Sequence, residues 1–115
     1  MARILFIDDY EVIRESTELR FEILGHQATI CASGEEAVAV FSQDPFGFDL
    51  VITDMEMPGM TGFDVLKKLR AIRPDLPVVL ATGRFLGMGF TAVLQKPYPM
   101  EELRATIERV LSPQP

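Results

Sequence analysis

Residues 48–62 read FDLVITDMEMPGMTG. Leu50, Val51, Ile52 and Thr53, with Phe48 just before them, form a short apolar and β-branched run, the pattern of a strand buried on both faces of a parallel sheet. The run stops at Asp54. Open α/β sheets place their chemistry in the crevice beyond the carboxyl ends of the strands, so a carboxylate at this point stands where a functional group belongs. Met57-Pro58-Gly59 and then Gly62 turn the chain away, because Pro has no amide donor and Gly favours turns. The carboxylate is left displayed on a loop.

Outward from that stretch, strand and helix patterns alternate. Arg3 to Ile7 reads as a first buried strand ended by Asp8, Asp9 and Tyr10, and Glu11 to Leu24 as a helix that stops at Gly25. Gln27 to Cys31 is a second strand. Ser33-Gly34-Glu35-Glu36 then has the form of a capping box, in which Ser33 and Glu36 would satisfy each other's backbone donors. The helix behind it carries Ala37, Val38, Val40 and Phe41 and ends near Asp44-Pro45. After the central strand, Phe63, Leu66, Leu69 and Ile72 recur at helical spacing before Pro74, Pro77 to Ala81 reads as a fourth strand, and Thr91 to Gln95 as a fifth. Met100, Leu103, Ile107 and Val110 give a last helix, with Pro99 in its first turn and Glu101 and Glu102 near its positive end.

The alternation has one fault. TGRFLGMGF, residues 82–90, holds three glycines and leaves no room for a helix of ordinary length with its two loops. The connection between strands four and five is therefore read as a loop or a single turn, with one flank of the sheet short of cover.

The acids can now be gathered. Asp8 and Asp9 end the first strand and Asp54 ends the third, and right-handed crossovers make those strands parallel neighbours whose ends point the same way. Like charges that converge repel and raise each other's pKa, so the arrangement calls for a cation. Mg²⁺ is the expected one: it is a hard ion that accepts one or two carboxylates, keeps waters and bridges to phosphate oxygens. Thr82 ends strand four with a hydroxyl, and Lys96 ends strand five with an ammonium. A nucleophilic carboxylate, a metal, a hydroxyl and a fixed positive charge are the equipment for phosphoryl transfer to an aspartate.

Asp8-Asp9, Asp54, Met57-Pro58-Gly59, Gly62, Thr82-Gly83 and Lys96-Pro97 together resemble, in order and over nearly the whole chain, the receiver domains of two-component response regulators. The resemblance implies a flavodoxin-like, doubly wound five-stranded parallel sheet of order 2-1-3-4-5 over residues 1–112, with 113–115 a tail; a chemotaxis receiver is a standing example of that order. It also implies that Asp54 is the phosphoacceptor, with Asp9, Asp54 and the backbone carbonyl of Glu56 on Mg²⁺ and Asp8 acting mainly through a water. Thr82 would donate to the phosphoryl group and Lys96 would pair with it. The implied donor is a sensor histidine kinase or a histidine phosphotransferase. Output would come through a changed binding surface or by draining phosphoryl groups, and catalysis would be confined to the chain's own phosphorylation and dephosphorylation.

Two departures from the family pattern accompany the match: the fourth helix is missing or reduced to a turn, and Val93 stands three before Lys96, where an aromatic is common. Phe85, Phe90 and Tyr98 are the aromatic residues available to take that place. Glu56 and Arg84, two residues past Asp54 and Thr82, occupy positions that in the family tune hydrolysis of the acyl phosphate. On the first helix Ile13, Thr17, Phe21 and Leu24 form one stripe and Val12, Leu19 and Ile23 another, about 120° round at 3.6 residues per turn. The second stripe is more apolar surface than one buried face needs and reads as a partner surface; the resemblance implies docking of the phosphodonor there, and a second copy is the other candidate.

Composition narrows the alternatives. At 115 residues with 48% hydrophobic content, the chain suits one core and is short for two. A net charge of −6 argues against direct nucleic-acid binding, and no apolar run approaches the roughly 18 residues that cross a bilayer, so the expected setting is the cytoplasm and not a membrane. Cys31 is the only cysteine and reads as a small buried side chain, His26 as a surface residue, and Met55, Met57, Met60 and Met88 as gap fillers around the loops. Gly83, Gly87 and Gly89 lack the Lys-Ser or Lys-Thr of a phosphate-binding loop. A phosphatase of the haloacid dehalogenase type would separate its acidic pair by one residue, and Tyr10 stands where its second Asp would be. The other surviving reading is a receiver-like interaction or dimerisation module that is never phosphorylated, against which the complete set of acids counts.

Overall fold

The structure is a computed structural model that describes residues 1–83 and 88–112. Strands β1 (Arg3–Ile7), β2 (Gln27–Cys31), β3 (Leu50–Asp54), β4 (Val78–Thr82) and β5 (Ala92–Gln95) form one parallel sheet in the order β2-β1-β3-β4-β5. Helices α1 (Glu11–Leu24), α2 (Gly34–Gln43), α3 (Gly62–Ile72) and α4 (Met100–Leu111) cover it. Period-two alternation along each strand sends side chains to two separate cores. Leu5, Ile7, Val51 and Val78 pack with Ala37 and Phe41 of α2 and Val65, Leu66 and Leu69 of α3. Ile4, Phe6, Leu50, Ile52, Val79 and Leu94 face Phe21 of α1 and Leu103 and Ile107 of α4. Every residue of β3 is buried, as its unbroken apolar run requires of a strand covered on both faces.

The local signals mostly act as the sequence suggests. Gly25 caps α1 in the left-handed region at φ 83°, where its N–H bonds to the Glu22 carbonyl at 3.1 Å. The box at α2 is only half formed. Ser33 Oγ accepts from the Glu36 N–H at 3.1 Å, but the Glu36 carboxylate reaches one residue further back, to the Ala32 N–H at 2.7 Å. The reciprocal box is at α3 instead, where Thr61 and Asp64 satisfy each other's N–H groups. The buried face of α3 is also turned relative to the predicted stripe: Val65, Leu66 and Leu69 are buried, whereas Phe63 and Ile72 are exposed. Pro99 occupies the N-cap of α4, just outside its first turn.

Between β4 and β5 no helix lies among the described residues; residues 84–87, with the predicted roles of Arg84 and Phe85, fall outside them, as does the tail over 113–115. What holds the described part is Arg70 on α3, which donates to the Gly89 carbonyl at 2.5 Å and to Thr91 Oγ1 at 3.1 Å. Val93, paired with buried Leu80, is 36% exposed. Phe90 stacks at a tilt on Phe63, 5.6 Å between ring centroids, and packs on the α2/α3 core, so it serves as a core side chain. Among the predicted gap fillers Met55 and Met57 are buried and Met60 is half-buried, but Met88 is 77% exposed and fills nothing. Cys31 is buried in the α2/α3 core.

Candidate functional site

Sheet register puts the acids at one level. Ile7 pairs with Thr53, so Asp8 and Asp54, the next residues on neighbouring parallel strands, emerge side by side. Asp54 pairs in turn with Ala81, and Thr82 follows it at the end of β4, buried. Lys96 follows Gln95, the partner of Thr82, and its N–H bonds to the Thr82 carbonyl at 2.8 Å. Four strand ends therefore contribute to one place.

Side chains complete the arrangement. Lys96 Nζ lies 3.0 Å from Asp8 Oδ2 and 3.1 Å from Asp54 Oδ1, bridging the two acids. The other Asp8 oxygen accepts from the Tyr10 N–H at 3.0 Å, and Asp54 Oδ1 also accepts from the Met55 N–H at 2.9 Å. Asp9 brings a carboxylate into the same group: one oxygen from each of Asp8, Asp9 and Asp54 lies within 4.8 Å of the others. Gly62 is required behind the site, because a Cβ there would meet the Asp54 carbonyl oxygen at 2.7 Å; its bare N–H instead bonds to the Met55 carbonyl at 2.9 Å and folds the loop back.

The electrostatics follow from this packing. Burial raises the Asp54 carboxyl above its ordinary range, Lys96 opposes that rise, Asp8 adds to it and the Met55 N–H opposes it. Burial works against the Lys96 charge, but the hydrogen bonds and charges of Asp8 and Asp54 outweigh it and hold the ammonium above the usual lysine value. With three carboxylates ionised against one ammonium, two net negative charges remain in a largely buried place. Asp9 Oδ1 is buried without a hydrogen-bond partner. An orphaned carboxylate oxygen beside two further carboxylates is the donor set that a hard divalent cation satisfies.

The predicted residues Asp8, Asp9, Asp54, Thr82 and Lys96 thus meet at the carboxyl edge of the sheet. Glu56 lies two residues beyond Asp54 with an exposed side chain. On α1, Val12, Leu19 and Ile23 are 75%, 60% and 73% exposed, separate from the buried pair Thr17 and Phe21. Sequence reasoning passed over Arg14, whose Nη1 donates to the Asp8 carbonyl at 2.9 Å. Its signal was a cation one turn into the helix that grows from the acids. His26, in the turn after α1, is half-buried, and its Nδ1 accepts from the Ala2 N–H at 3.0 Å.

Fold and site define a doubly wound α/β domain with an acidic cluster at a strand-end crevice that could hold a cation. The family model of the response regulator receiver domain matches residues 4–108, and the chain belongs to that family, the phosphoacceptor domains of two-component signalling. It is similar to the sensory transduction protein RegX3 of Mycobacterium tuberculosis, 35% identical over 96% of this chain and 51% of that protein. The chain thus spans about half the length of the curated relatives it matches. Among solved structures it is similar to a response regulator receiver domain protein from Clostridium thermocellum, with TM-score 0.91 and 29% identity over 96% of this chain and 94% of that one. It is also similar to the response regulator TrrA of Thermotoga maritima in complex with Mg²⁺-BeF, with TM-score 0.87 and 29% identity over 96% and 100% of the two chains.

Proposed function

We propose that Asp54 of this chain takes a phosphoryl group from a phosphohistidine of a sensor histidine kinase or histidine phosphotransferase. The observation that carries this is the meeting of Asp54 with Asp8, Asp9 and Lys96, with a buried Asp9 oxygen left to a cation. A carboxylate oxygen of Asp54 forms a bond to phosphorus as the P–N bond breaks; the electron pair leaves with the imidazole, which takes up a proton. Lys96, held at 3.1 Å from Asp54, neutralises charge on the phosphoryl oxygens, and the Thr82 hydroxyl donates to one of them.

Asp9, Asp54 and the Glu56 carbonyl would hold Mg²⁺, with Asp8 reaching it through a water. When bound, the ion supplies charge neutralisation at the oxygens of the transferred group. TrrA, in complex with Mg²⁺-BeF, supports this assignment by similarity. Glu56 and Arg84 would set how fast the acyl phosphate is hydrolysed; dephosphorylation unchanged in Arg84→Ala contradicts that role.

The exposed stripe Val12, Leu19 and Ile23 would be the docking surface for the phosphodonor or for a second copy. The chain acts on itself and not as a turnover enzyme, with residues 1–112 as the receiver unit and 113–115 as a tail. Its output is a changed binding surface or the draining of phosphoryl groups. We place it in the cytoplasm with no direct nucleic-acid contact, supported by the net charge of −6 and by the lack of a membrane-crossing helix among the described residues.

The test is incubation with Mg²⁺ and acetyl phosphate followed by intact mass. Wild type should gain one phosphoryl group and Asp54→Asn none. An unlabelled wild type, or equal labelling of the variant, overturns the proposal and, in the first case, favours a module that is never phosphorylated.

A further inference from the structure

Lys96 is anchored from an unexpected side. It follows β5, an edge strand of four residues in which Leu94 alone is buried, and its last bond to the sheet is from its N–H to the Thr82 carbonyl. Beyond that bond the chain leaves β4 and meets α1. Tyr98 is buried there, in the core that it shares with Phe21 of α1. Arg20 Nη1 donates to the Tyr98 carbonyl at 3.0 Å, and the Arg20 guanidinium lies over the Tyr98 ring, 5.8 Å from its centroid. The same helix opens next to Asp8 and Asp9 and is tied to the Asp8 carbonyl through Arg14. α1 thus spans from the acids to the corner that carries the ammonium.

We propose that Arg20 is a positioning residue for phosphoryl uptake, setting where the Lys96 ammonium stands relative to Asp8 and Asp54. A lysine is a point charge on a flexible stem, and its effect on a reacting group depends on how firmly its backbone is placed. A charge-assisted bond to a carbonyl two residues beyond Lys96, reinforced by a cation over a buried ring, supplies that firmness where the edge strand does not. The inference rests on the phosphoacceptor reading above.

The experiment measures the rate of labelling by acetyl phosphate with Mg²⁺ in wild type, Arg20→Ala, Arg20→Lys, Lys96→Ala and the double variant Arg20→Ala/Lys96→Ala. Arg20→Ala should label about 10-fold more slowly, and Arg20→Lys, which still donates to the carbonyl, should recover most of that loss. In the Lys96→Ala background the Arg20 change should alter the residual rate less than about twofold, because the group it positions is gone. A wild-type rate in Arg20→Ala, or the same loss in both backgrounds, overturns the proposal. Circular dichroism checks folding. Should Arg20→Ala not fold, Arg20→Met takes its place, keeping an apolar stem without the donor or the charge: a loss of about 10-fold that vanishes in the Lys96→Ala background supports the proposal, and any other pattern overturns it. A labelled wild type with an indifferent Arg20→Ala defeats this inference alone, whereas an unlabelled wild type defeats the phosphoacceptor reading and this one with it.

Discussion

Asp54 carries its charge in surroundings that resist it. Its carboxyl is raised from the ordinary 3.8, chiefly by burial, with Lys96 opposing and Asp8 adding to the rise. An acid that holds its proton more firmly folded than unfolded makes the folded state less stable as pH climbs from 3.8 through the raised value, and the loss persists at neutral pH. Asp54→Asn keeps the shape and removes the charge, so without Mg²⁺ it should unfold with about 1 kcal/mol more free energy in urea at pH 7; a less stable variant contradicts this. His26 behaves with the opposite sign. Burial and then the N-terminal ammonium lower its pKa from 6.5, Glu108 opposing, and its Nδ1 must stay unprotonated to accept from Ala2. Its contribution is therefore full above pH 6.5 and is lost as the pH falls from there to the lowered folded value. Urea melts at about pH 7.5 and 5.5 should show that decline in wild type and less of it in His26→Gln; parallel declines contradict it. The role of His26 was not legible because its partner is a backbone amide 24 residues away, just before β1, and no local pattern announces such a contact.

At the scale of elements, α1 joins two surfaces. Its Thr17 and Phe21 are buried while Val12, Leu19 and Ile23 stand exposed, as the two stripes in the sequence indicated from the 3.6 period alone. Leu19→Glu should slow phosphotransfer from a histidine kinase by about 10-fold or more, the cost of a charge placed in an apolar contact, yet leave labelling by acetyl phosphate unchanged. Equal loss with both donors contradicts a docking role. Elements whose signals are local were readable to within a residue or two, and what escaped depended on chemistry one step from the usual form. The box at α3 uses Asp64 where Glu or Gln is the familiar partner, and the expected one at α2 fails because the Glu36 side chain settles on Ala32. The rotation of α3 was missed because Phe63 packs on Phe90 across the short β4–β5 connection, a tertiary contact that its apolar character alone does not foretell.

Over the whole molecule, the parallel sheet delivers the carboxyl ends of β1, β3, β4 and β5 to one crevice, and this is why residues 8, 9, 54, 82 and 96 could be gathered from the sequence. Strand ends and crossover handedness are sequence-readable; the side-chain detail is not. That Lys96 bridges Asp8 and Asp54, and that its corner is tied to α1 through Tyr98, emerge only when β5 and α1 are packed on the sheet. The central claim is that Asp8, Asp9 and Asp54 form one divalent-cation site. An NMR titration of the chain with Mg²⁺ tests it most directly. The account predicts saturable one-to-one binding with shifts concentrated at residues 8–9 and 54–56, and affinity at least about 10-fold weaker in Asp9→Asn. Shifts that never saturate, or an Asp9→Asn chain that binds as well as wild type, would contradict it.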